Sequence, residues 1–377
     1  MYLIGGLCMW RYQHPTEIIF GQGELDNIDV YLEQQGVQRA LLIATNSIVK
    51  SGVAEELVLK CKGKIAGIVS NIEPNPTIQN VEMCAQKARE FEVDYIIAIG
   101  GGSVIDCAKA VCAVVAGECT AMELIEGKEI TEALPLIAIP TVSGASSEVT
   151  GTTVISWKEK DIKRAFTSPL LYPKLAIVDP SLTYSCPKHV TAISGIDIIA
   201  HSLDSLGSVK SSPLTEHFAI EAAKLAFENL ESAVEGNTEA KDRLALAAVL
   251  AGLAFSQTGT TASHACSYIL TARYGVPHAE ACAFTLDAWF KINVQHKPLL
   301  ELQVQKIGFE NVDELVVALN KLKKVLALRT TLDELSIPLE ELEIIVEHSF
   351  GAANMKNNIA PVDEDMIREV FLSKRAK

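Results

Sequence analysis

The chain has 377 residues, of which 49% are hydrophobic and 21% are charged, and its net charge is −14. This length exceeds what one hydrophobic core usually supports, so we expect two domains. The composition excludes a disordered or low-complexity protein, and the negative charge disfavours nucleic acid or an anionic membrane as a partner.

The cysteines and the first residues of the sequence indicate the cellular compartment in which we expect the protein. Nine cysteines lie scattered along the chain without a Cys-x-x-Cys pair, which is typical of reduced thiols in a reducing compartment. The apolar start, MYLIGGLCMW, lacks a basic leader and a small-residue cleavage pattern, so we expect no signal peptide. The longest apolar run, residues 244–255, is too short to span a bilayer. We therefore predict a cytoplasmic protein without a membrane partner.

Short apolar runs alternate with amphipathic stretches in the first half of the chain. These runs are RALLIATNS, IAGIVS, DYIIAIGGGS, LPLIAIP and KLAIVDP. Apolar runs separated by helical spacers predict strands that are buried on both faces of a parallel sheet. The first half is therefore predicted to be an α/β domain.

Polar loops follow three of these predicted strands. Gly100, Gly101 and Ser103 lie in a glycine-rich turn before a predicted helix, and two further loops span residues 73–77 and 140–148. Backbone N–H groups of the glycine turn can bind a diphosphate, although a tight turn with positive φ is an alternative interpretation. The usual GxGxxG fingerprint is absent. Together the three loops predict a ligand site at the carboxyl edge of the sheet.

After Pro180 the strand-like runs end. Long Ala-, Leu- and Glu-rich stretches, such as SPLTEHFAIEAAKLAFENLESAVEG, predict a helical second half. We place the boundary near residue 185, which gives domains 1–185 and 186–377 with a ligand cleft between them.

A candidate metal site lies in the helical half. Asp197 and His201 are four residues apart in a predicted helix, and His264 and His278 follow. Such a pair shares one helix face and can be an ordinary surface pair. Its apolar surroundings make an unpaired carboxylate costly, however, which favours a metal. One carboxylate and three imidazoles suit Fe²⁺ or Zn²⁺ better than Mg²⁺ or Ca²⁺.

With these motifs in place, the chain resembles the iron-containing alcohol dehydrogenase family from about residue 12 into the C-terminal region. The motifs TEIIFGQGEL, EPNPT, IAIGGGSVIDCAKA, PTVSGASSEVT, KLAIVDP, GIDIIAHSLDS and YGVPH occur in that family's order. The resemblance implies an α/β nucleotide-binding domain with a parallel sheet, followed by an all-helical metal-binding domain. It also implies an oxidoreductase that uses NAD(H) or NADP(H) with Fe²⁺ or Zn²⁺, and we expect a homodimer.

The resemblance assigns roles to individual residues. The metal would be held by Asp197, His201, His264 and His278. The cofactor diphosphate would contact Gly100, Gly101 and Ser103, and the ribose and nicotinamide would contact Asn75, Thr141, Ser143, Thr150 and Lys163. Asn46 stands where NAD-selective members often have an aspartate, so we expect both NADH and NADPH to be accepted.

Catalysis would involve His264, His278 and Tyr268, which replaces a second histidine that many members carry one helical turn after the third ligand. The stretch TTASHACSYILTARYGVPH is similar to a subgroup that reduces phosphonoacetaldehyde, although Gly259 stands where that subgroup has a lysine.

Hydroxyl groups near the third ligand predict a polar pocket wall, contributed by Thr260, Thr261, Ser263 and Tyr268. We therefore expect a short aldehyde with a polar or anionic group as substrate, led by phosphonoacetaldehyde, and Arg273 is a candidate to pair with the anion. Alternatives with the same fold are a general primary alcohol dehydrogenase, a glycerol dehydrogenase and a dehydroquinate synthase. A non-catalytic nucleotide-binding protein is disfavoured, because all four ligand positions are filled.

Overall fold

The computed structural model describes residues 9–160 and 162–375. Residues 1–8 lie outside the described residues, and they hold most of the segment in which no signal peptide is expected. Among the described residues, no single helix is long and apolar enough to cross a membrane. By length and composition alone, one helix pair, Thr238–Thr258 with Ala262–Tyr274, passes the same test, and it is bent by 101°.

A six-stranded parallel sheet forms the centre of the first half, with strand order β1-β8-β5-β4-β2-β3. Its strands are β1 (Glu17–Phe20), β2 (Ala40–Ala44), β3 (Ile65–Val69), β4 (Tyr95–Gly100), β5 (Leu136–Pro140) and β8 (Leu175–Val178). An antiparallel hairpin, β6 (Thr152–Trp157) and β7 (Ile162–Thr167), lies outside this sheet. The five apolar runs are β2, β3, β4, β5 and β8, which confirms the predicted parallel sheet.

Two features of the first half were not predicted. Strand β1 is a partly exposed edge strand, so it lacks the continuous apolar run of the central strands. The β6–β7 hairpin carries polar residues on both strands, among them Lys163. Helices cover both faces of the sheet: α1 (Ile28–Gln34), α2 (Asn46–Lys50), α3 (Val53–Lys60), α4 (Ile78–Glu90), α5 (Gly102–Ala116) and α6 (Ala121–Glu126).

The second half is helical, as predicted. Its helices are α7 (Lys188–Leu206), α8 (Pro213–Val234), α9 (Thr238–Thr258), α10 (Ala262–Tyr274), α11 (His278–His296), α12 (Leu300–Ile307), α13 (Val312–Val325), α14 (Leu342–Gly351) and α15 (Glu364–Leu372). Ser212 caps α8 by accepting a hydrogen bond from the Thr215 N–H, and Gly236 follows its end with φ 98°. The domain boundary near residue 185 falls between β8 and α7 and stays a prediction.

Helix α7 is buried along the whole of its second half, residues 195–206. Gly195 permits this burial, because a Cβ atom there would lie 2.2 Å from Leu230 Cδ1 of α8. The close packing places Asp197 and His201 inside the domain, where they are 4% and 5% exposed. These polar side chains are therefore core residues and need partners.

Candidate functional site

The predicted cofactor loops meet where the strand order reverses. Strand β2 has β3 on one side and β4 on the other, and ligands of open α/β sheets bind at such a point. The Asn75 N–H donates to Ser103 Oγ at 3.2 Å, and the Thr141 N–H donates to the Gly100 carbonyl at 3.0 Å. The structure thus brings the three predicted loops together.

The glycine turn serves close packing. None of Gly100, Gly101 and Gly102 has a positive φ, so the tight-turn interpretation is wrong for this loop. Cβ atoms at Gly100 and Gly102 would each lie 2.8 Å from a neighbouring Cβ, on Val104 and Ala145 respectively. The loop after β5 therefore packs directly on the start of α5, and this leaves the first N–H groups of α5 at the carboxyl edge of the sheet.

A short polar chain links the hairpin to these loops. Lys163 on β7 donates from Nζ to Asn75 Oδ1 at 2.8 Å, and the Asn75 N–H reaches Ser103. Burial lowers the pKa of the Lys163 ammonium, although Cys282, Asp106 and Asp197 oppose the shift. Lys163 therefore holds the Asn75 loop against the start of α5.

Other predicted cofactor residues have partners within the protein. Thr150 Oγ1 accepts a hydrogen bond from the fully buried Lys109 Nζ at 3.1 Å. Asn46 is exposed, and its Oδ1 accepts from the Asn71 N–H at 3.0 Å. Ser143 lines a small cavity together with Thr183 and Lys241, among other residues. Cofactor contact by Thr150, Asn46 and Ser143 stays a prediction.

Three predicted metal ligands converge from three helices. Asp197 lies on α7, His264 in the first turn of α10, and His278 is the first residue of α11. Their ligand atoms and Cys282 Sγ all lie within 4.8 Å of one another, and His264 Nε2 is 3.8 Å from Asp197 Oδ1. This convergence joins Asp197 to His264, which is 67 residues later in the chain, and to His278, which is 81 residues later.

The same group contains buried atoms without hydrogen-bond partners. Within the described chain, neither Asp197 Oδ1 nor His264 Nε2 has such a partner. Buried polar atoms of this kind are rare and costly in folded proteins. A carboxylate oxygen and an imidazole nitrogen are donors that suit a divalent transition metal, so the residues present fit a metal ion.

His201 stands beside this group. Its Nε2 is 4.0 Å from Asp197 Oδ1, but its ring stacks on Phe255 and, with centroids 4.8 Å apart, on His264. Burial lowers the pKa of His201 to about 4, so the imidazole is neutral near pH 7, as a metal ligand requires. Its role as a ligand stays a prediction.

Asp204 orients His264 and was not among the residues predicted from the sequence. Its Oδ2 lies 2.8 Å from His264 Nδ1 and accepts the Thr261 N–H at 2.7 Å, while its Oδ1 accepts from Ser263 Oγ at 2.8 Å. The carboxylate thereby caps the start of α10 and holds the proton on Nδ1, which leaves Nε2 free to face Asp197. Asp204 follows Asp197 by seven residues, so helical spacing alone places it on the same face.

The pKa values of the two other imidazoles are shifted in opposite directions. Burial alone would lower the pKa of His264, but neighbouring Cys282 and the hydrogen bond to Asp204 outweigh it and raise the pKa. Burial and the nearby Lys163 lower the pKa of His278 well below its usual range. Negative surroundings that favour a proton on His264 favour a metal cation there as well.

A polar wall continues from His264 along α10. Tyr268 lies one turn after His264, and Asn354, in the short 3₁₀ helix Ala353–Asn357, donates from Nδ2 to Thr260 Oγ1 at 3.1 Å and to the Tyr268 hydroxyl at 3.4 Å. Asn354 Oδ1 is buried without a partner among the described residues. Burial raises the pKa of Tyr268, so its hydroxyl keeps its proton near neutral pH.

Other candidates for the wall are engaged elsewhere. Ser263 donates to Asp204. Arg273 forms an ion pair with Glu341 at 2.7 Å, is 47% exposed, and lies nine residues after His264, on the opposite face of α10. It therefore does not point to the same side as His264 and Tyr268.

Comparisons with known proteins agree with this architecture. Residues 15–180 match the family described as iron-containing alcohol dehydrogenase, and residues 191–374 match its C-terminal family. A crystal structure of sulfoacetaldehyde reductase from Bifidobacterium kashiwanohense in complex with NAD⁺ is 33% identical, with a TM-score of 0.93, over 97% of this chain and 99% of that one.

Two curated relatives extend the comparison. Alcohol dehydrogenase 4 of Saccharomyces cerevisiae is 30% identical over 94% of this chain and 95% of its own length. The NADPH-dependent butanol dehydrogenase of Clostridium saccharobutylicum is 28% identical over 96% of this chain and 97% of its own. These matches identify an oxidoreductase and set aside the non-catalytic alternative. The chain belongs to the iron-containing alcohol dehydrogenase family.

Proposed function

We propose that this protein reduces a short aldehyde bearing a polar or anionic group, using NADH or NADPH and a divalent metal, Fe²⁺ or Zn²⁺. The observation that carries the proposal is the polar wall of Thr260, Tyr268 and Asn354, which begins one helical turn from His264. An alkyl chain against this wall would leave Asn354 Oδ1, which has no hydrogen-bond partner among the described residues, still unpaired at a cost of about 1–3 kcal/mol.

The reaction divides between the bound groups and the chain. A metal held by Asp197, His201, His264 and His278 would supply Lewis acidity, and the nicotinamide would supply the hydride. Asp204 keeps His264 in the required orientation, and Lys163 holds the Asn75 loop against Ser103. Tyr268 offers a hydroxyl proton toward the substrate oxygen, in the place of the histidine that many members carry.

An anionic substrate needs a compensating positive charge. Lys163 offers an amino group for this role at the cofactor loops, where its Nζ donates to Asn75 Oδ1 at 2.8 Å. Gly259 has φ 65°, and a Cβ there would lie 2.8 Å from Asn357 Nδ2, so a lysine at this position would be strained and would displace Asn357. The similarity to the sulfoacetaldehyde reductase adds support for an anionic aldehyde, with phosphonoacetaldehyde and sulfoacetaldehyde as leading candidates.

Catalytic efficiency with phosphonoacetaldehyde, sulfoacetaldehyde, glycolaldehyde and butanal tests the substrate class. We expect one of the two anionic aldehydes to have the highest kcat/KM, because a site built to pair a polar group rejects analogues that lack it. If butanal is the best of the four, the polar-substrate proposal is wrong. A general alcohol dehydrogenase, favoured by the butanol dehydrogenase relative, then takes its place. Glycerol oxidation in the reverse direction checks the glycerol dehydrogenase alternative.

Cofactor choice is tested at Asn46. The neutral amide has no charge to repel a 2′-phosphate, so kcat/KM with NADH and NADPH should differ by less than about a hundredfold, whereas Asn46→Asp should disfavour NADPH. A thousandfold preference of the wild type for NADH, or an unchanged ratio in Asn46→Asp, would contradict this reading. We also propose that the protein is a homodimer and that it works in a reducing compartment. Light scattering of the purified protein gives its molar mass and checks the homodimer.

A further inference from the structure

Ser146 lies in the middle of the loop after β5, which also holds the predicted cofactor residues Thr141, Ser143 and Thr150. Its φ is 53° and its ψ is 29°, a left-handed conformation that non-glycine residues rarely adopt. Among the described residues, eight non-glycine residues have a positive φ, and Ser146 is the only one of them that is buried. The one half-buried member, Asn75, lies in another predicted cofactor loop. Strained backbone of this kind collects at ligand sites, where the surrounding structure maintains it.

The loop is fixed to the α/β domain on both sides of Ser146. Before it, the Thr141 N–H donates to the Gly100 carbonyl at the end of β4. Directly after it, the Ser147 hydroxyl donates to Asp106 Oδ1 on α5 at 2.5 Å. The residues next to Ser146 therefore belong to the nucleotide-binding half by their contacts.

The Ser146 side chain contacts the helical domain instead. Its hydroxyl donates to the Ala248 carbonyl on α9 at 2.6 Å, and the Gly144 carbonyl of its own loop lies 3.0 Å from the same oxygen. Gly252 permits this contact, because a Cβ there would lie 2.7 Å from Ser146 Cβ and 2.4 Å from Val149 Cγ2. Gly252 is one helical turn after Ala248, so its missing side chain leaves the Ala248 carbonyl accessible to a donor from the loop.

A second close contact joins this loop to the helical domain. A Cβ at Gly144 would lie 2.4 Å from the Ser194 carbonyl oxygen on α7. The loop is thus packed between two domains, and Ser146 provides a side-chain hydrogen bond across that boundary. The predicted cofactor residue Ser143 lies beside Gly144 in this packed segment.

We propose that Ser146 is a positioning residue for the cofactor. Its hydroxyl holds the left-handed turn on α9 and thereby fixes loop 141–150 in the conformation that binds NADH or NADPH. The inference rests on the cofactor site of the proposed function. Without the hydroxyl the strained turn relaxes, so the loop must be ordered again when the cofactor binds, and that ordering lowers affinity.

Ser208 provides a matched control. It is buried, and its hydroxyl donates to the Thr258 carbonyl, also on α9, at 2.9 Å. Ser208 follows α7 within the helical domain and belongs to none of the cofactor loops. Ser208→Ala therefore removes a buried hydroxyl that bonds to the same helix without changing loop 141–150.

The experiment is fluorescence titration of the metal-loaded protein with NADH and with NADPH, accompanied by steady-state kinetics. We expect Ser146→Ala and Ser146→Gly to raise the Kd of the preferred cofactor at least about fivefold, the effect of one hydrogen bond. Ser208→Ala should keep the wild-type Kd. In both Ser146 variants kcat at saturating cofactor should stay within about twofold of wild type, because the loss lies in binding.

The glycine variant separates the hydroxyl from the backbone conformation, since glycine adopts positive φ without strain. A wild-type Kd in Ser146→Gly would show that the turn needs only positive φ and would overturn the inference. A wild-type Kd in Ser146→Ala would overturn it as well. An equal rise in Ser208→Ala would assign the effect to lost stability and contradict a positioning role. Each of these results leaves the proposed function intact, whereas wild-type protein that binds neither NADH nor NADPH would overturn both.

Discussion

Two clusters of buried polar residues in the helical domain differ in whether their charged groups have partners within the protein. Asp287 is bonded through both carboxylate oxygens, with Lys323 and Lys374 at 2.7 Å and Asn320 at 3.4 Å. Asp197 and His264 of the metal group are equally buried, yet Asp197 Oδ1 and His264 Nε2 have no hydrogen-bond partner in the described chain. The Asp287 carboxylate therefore has its partners within the protein. Asp197 Oδ1 and His264 Nε2 need an added cation as their partner.

This difference teaches how to separate stability from function among buried charges. A self-satisfied cluster should stabilise the fold, and breaking it leaves charges unpaired. An unsatisfied cluster costs stability in the free protein and is retained for what it binds. Variants of the two clusters should therefore have opposite effects on activity and on unfolding.

The largest expected effect is that of Asp197→Asn on turnover. Loss of the carboxylate should remove the bound metal and lower kcat/KM by at least about a thousandfold, because a Lewis acid supplies several kcal/mol. The free energy of unfolding of the metal-free protein should stay equal or rise, since the charge is removed from a buried carboxylate whose Oδ1 has no hydrogen-bond partner among the described residues. Metal analysis, steady-state kinetics and urea denaturation check this, and full activity in a metal-stripped sample would contradict it.

Asp287→Asn should act in the opposite way. It leaves two buried ammonium groups without their carboxylate and should cost about 3–5 kcal/mol of unfolding free energy, with little effect on kcat/KM of the folded enzyme. The exposed pair of Asp313 and Lys291 is the matched control, where Asp313→Asn should cost no more than about 1 kcal/mol. Equal losses of unfolding free energy in Asp287→Asn and Asp313→Asn would contradict a stabilising role for the buried cluster.

The stabilisation by Asp287 should depend on pH. Burial alone would raise the pKa of this carboxyl, but Lys323 and Lys374 hold it well below its usual range. A folded-state pKa below the unfolded one gives stability that is present above the unfolded value of about 4 and is lost as pH falls below it. Urea denaturation between pH 7 and pH 3 should therefore show the difference between wild type and Asp287→Asn shrinking in acid.

Asp204→Asn should have an intermediate effect. The amide keeps an oxygen for the Thr261 N–H but removes the negative charge that orients the His264 ring. Metal affinity should fall about 10–100-fold, as is typical for partners that stand behind a ligand. Chelator competition measures the affinity, and saturating metal should restore most of kcat. Unchanged metal affinity in Asp204→Asn would show that Asp204 only caps the start of α10.

Tyr268→Phe should have the smallest effect. Loss of one hydrogen bond to the substrate should lower kcat/KM for the preferred anionic aldehyde about tenfold, with the metal content unchanged. Tyr274 ends the same helix, and its hydroxyl bonds to Glu341 at 2.9 Å, so Tyr274→Phe serves as the control and should keep wild-type kinetics. A loss of bound metal in Tyr268→Phe would show that the hydroxyl acts on the metal group instead.

The features of the fold that depend on residues within a single strand or helix could be predicted from the sequence. Strands β2, β5 and β8 are buried throughout and β4 is buried after its first residue, so each appears as a continuous apolar run. Helix α8 carries its own start and stop in Ser212 and Gly236. The edge strand β1 was missed because half-exposed residues carry no such run.

For the site, local sequence placed Asp197 and His201 on one helix face and identified the polar loops after the strands. Only the tertiary structure decided that Asp204 orients His264, that Cys282 lies beside His278, and that Asn354 completes the wall beside Tyr268. It also decided that the glycine turn exists for close packing rather than for positive φ. Periodicity reports which face of an element is buried, whereas distances between elements depend on side-chain packing between segments far apart in the chain.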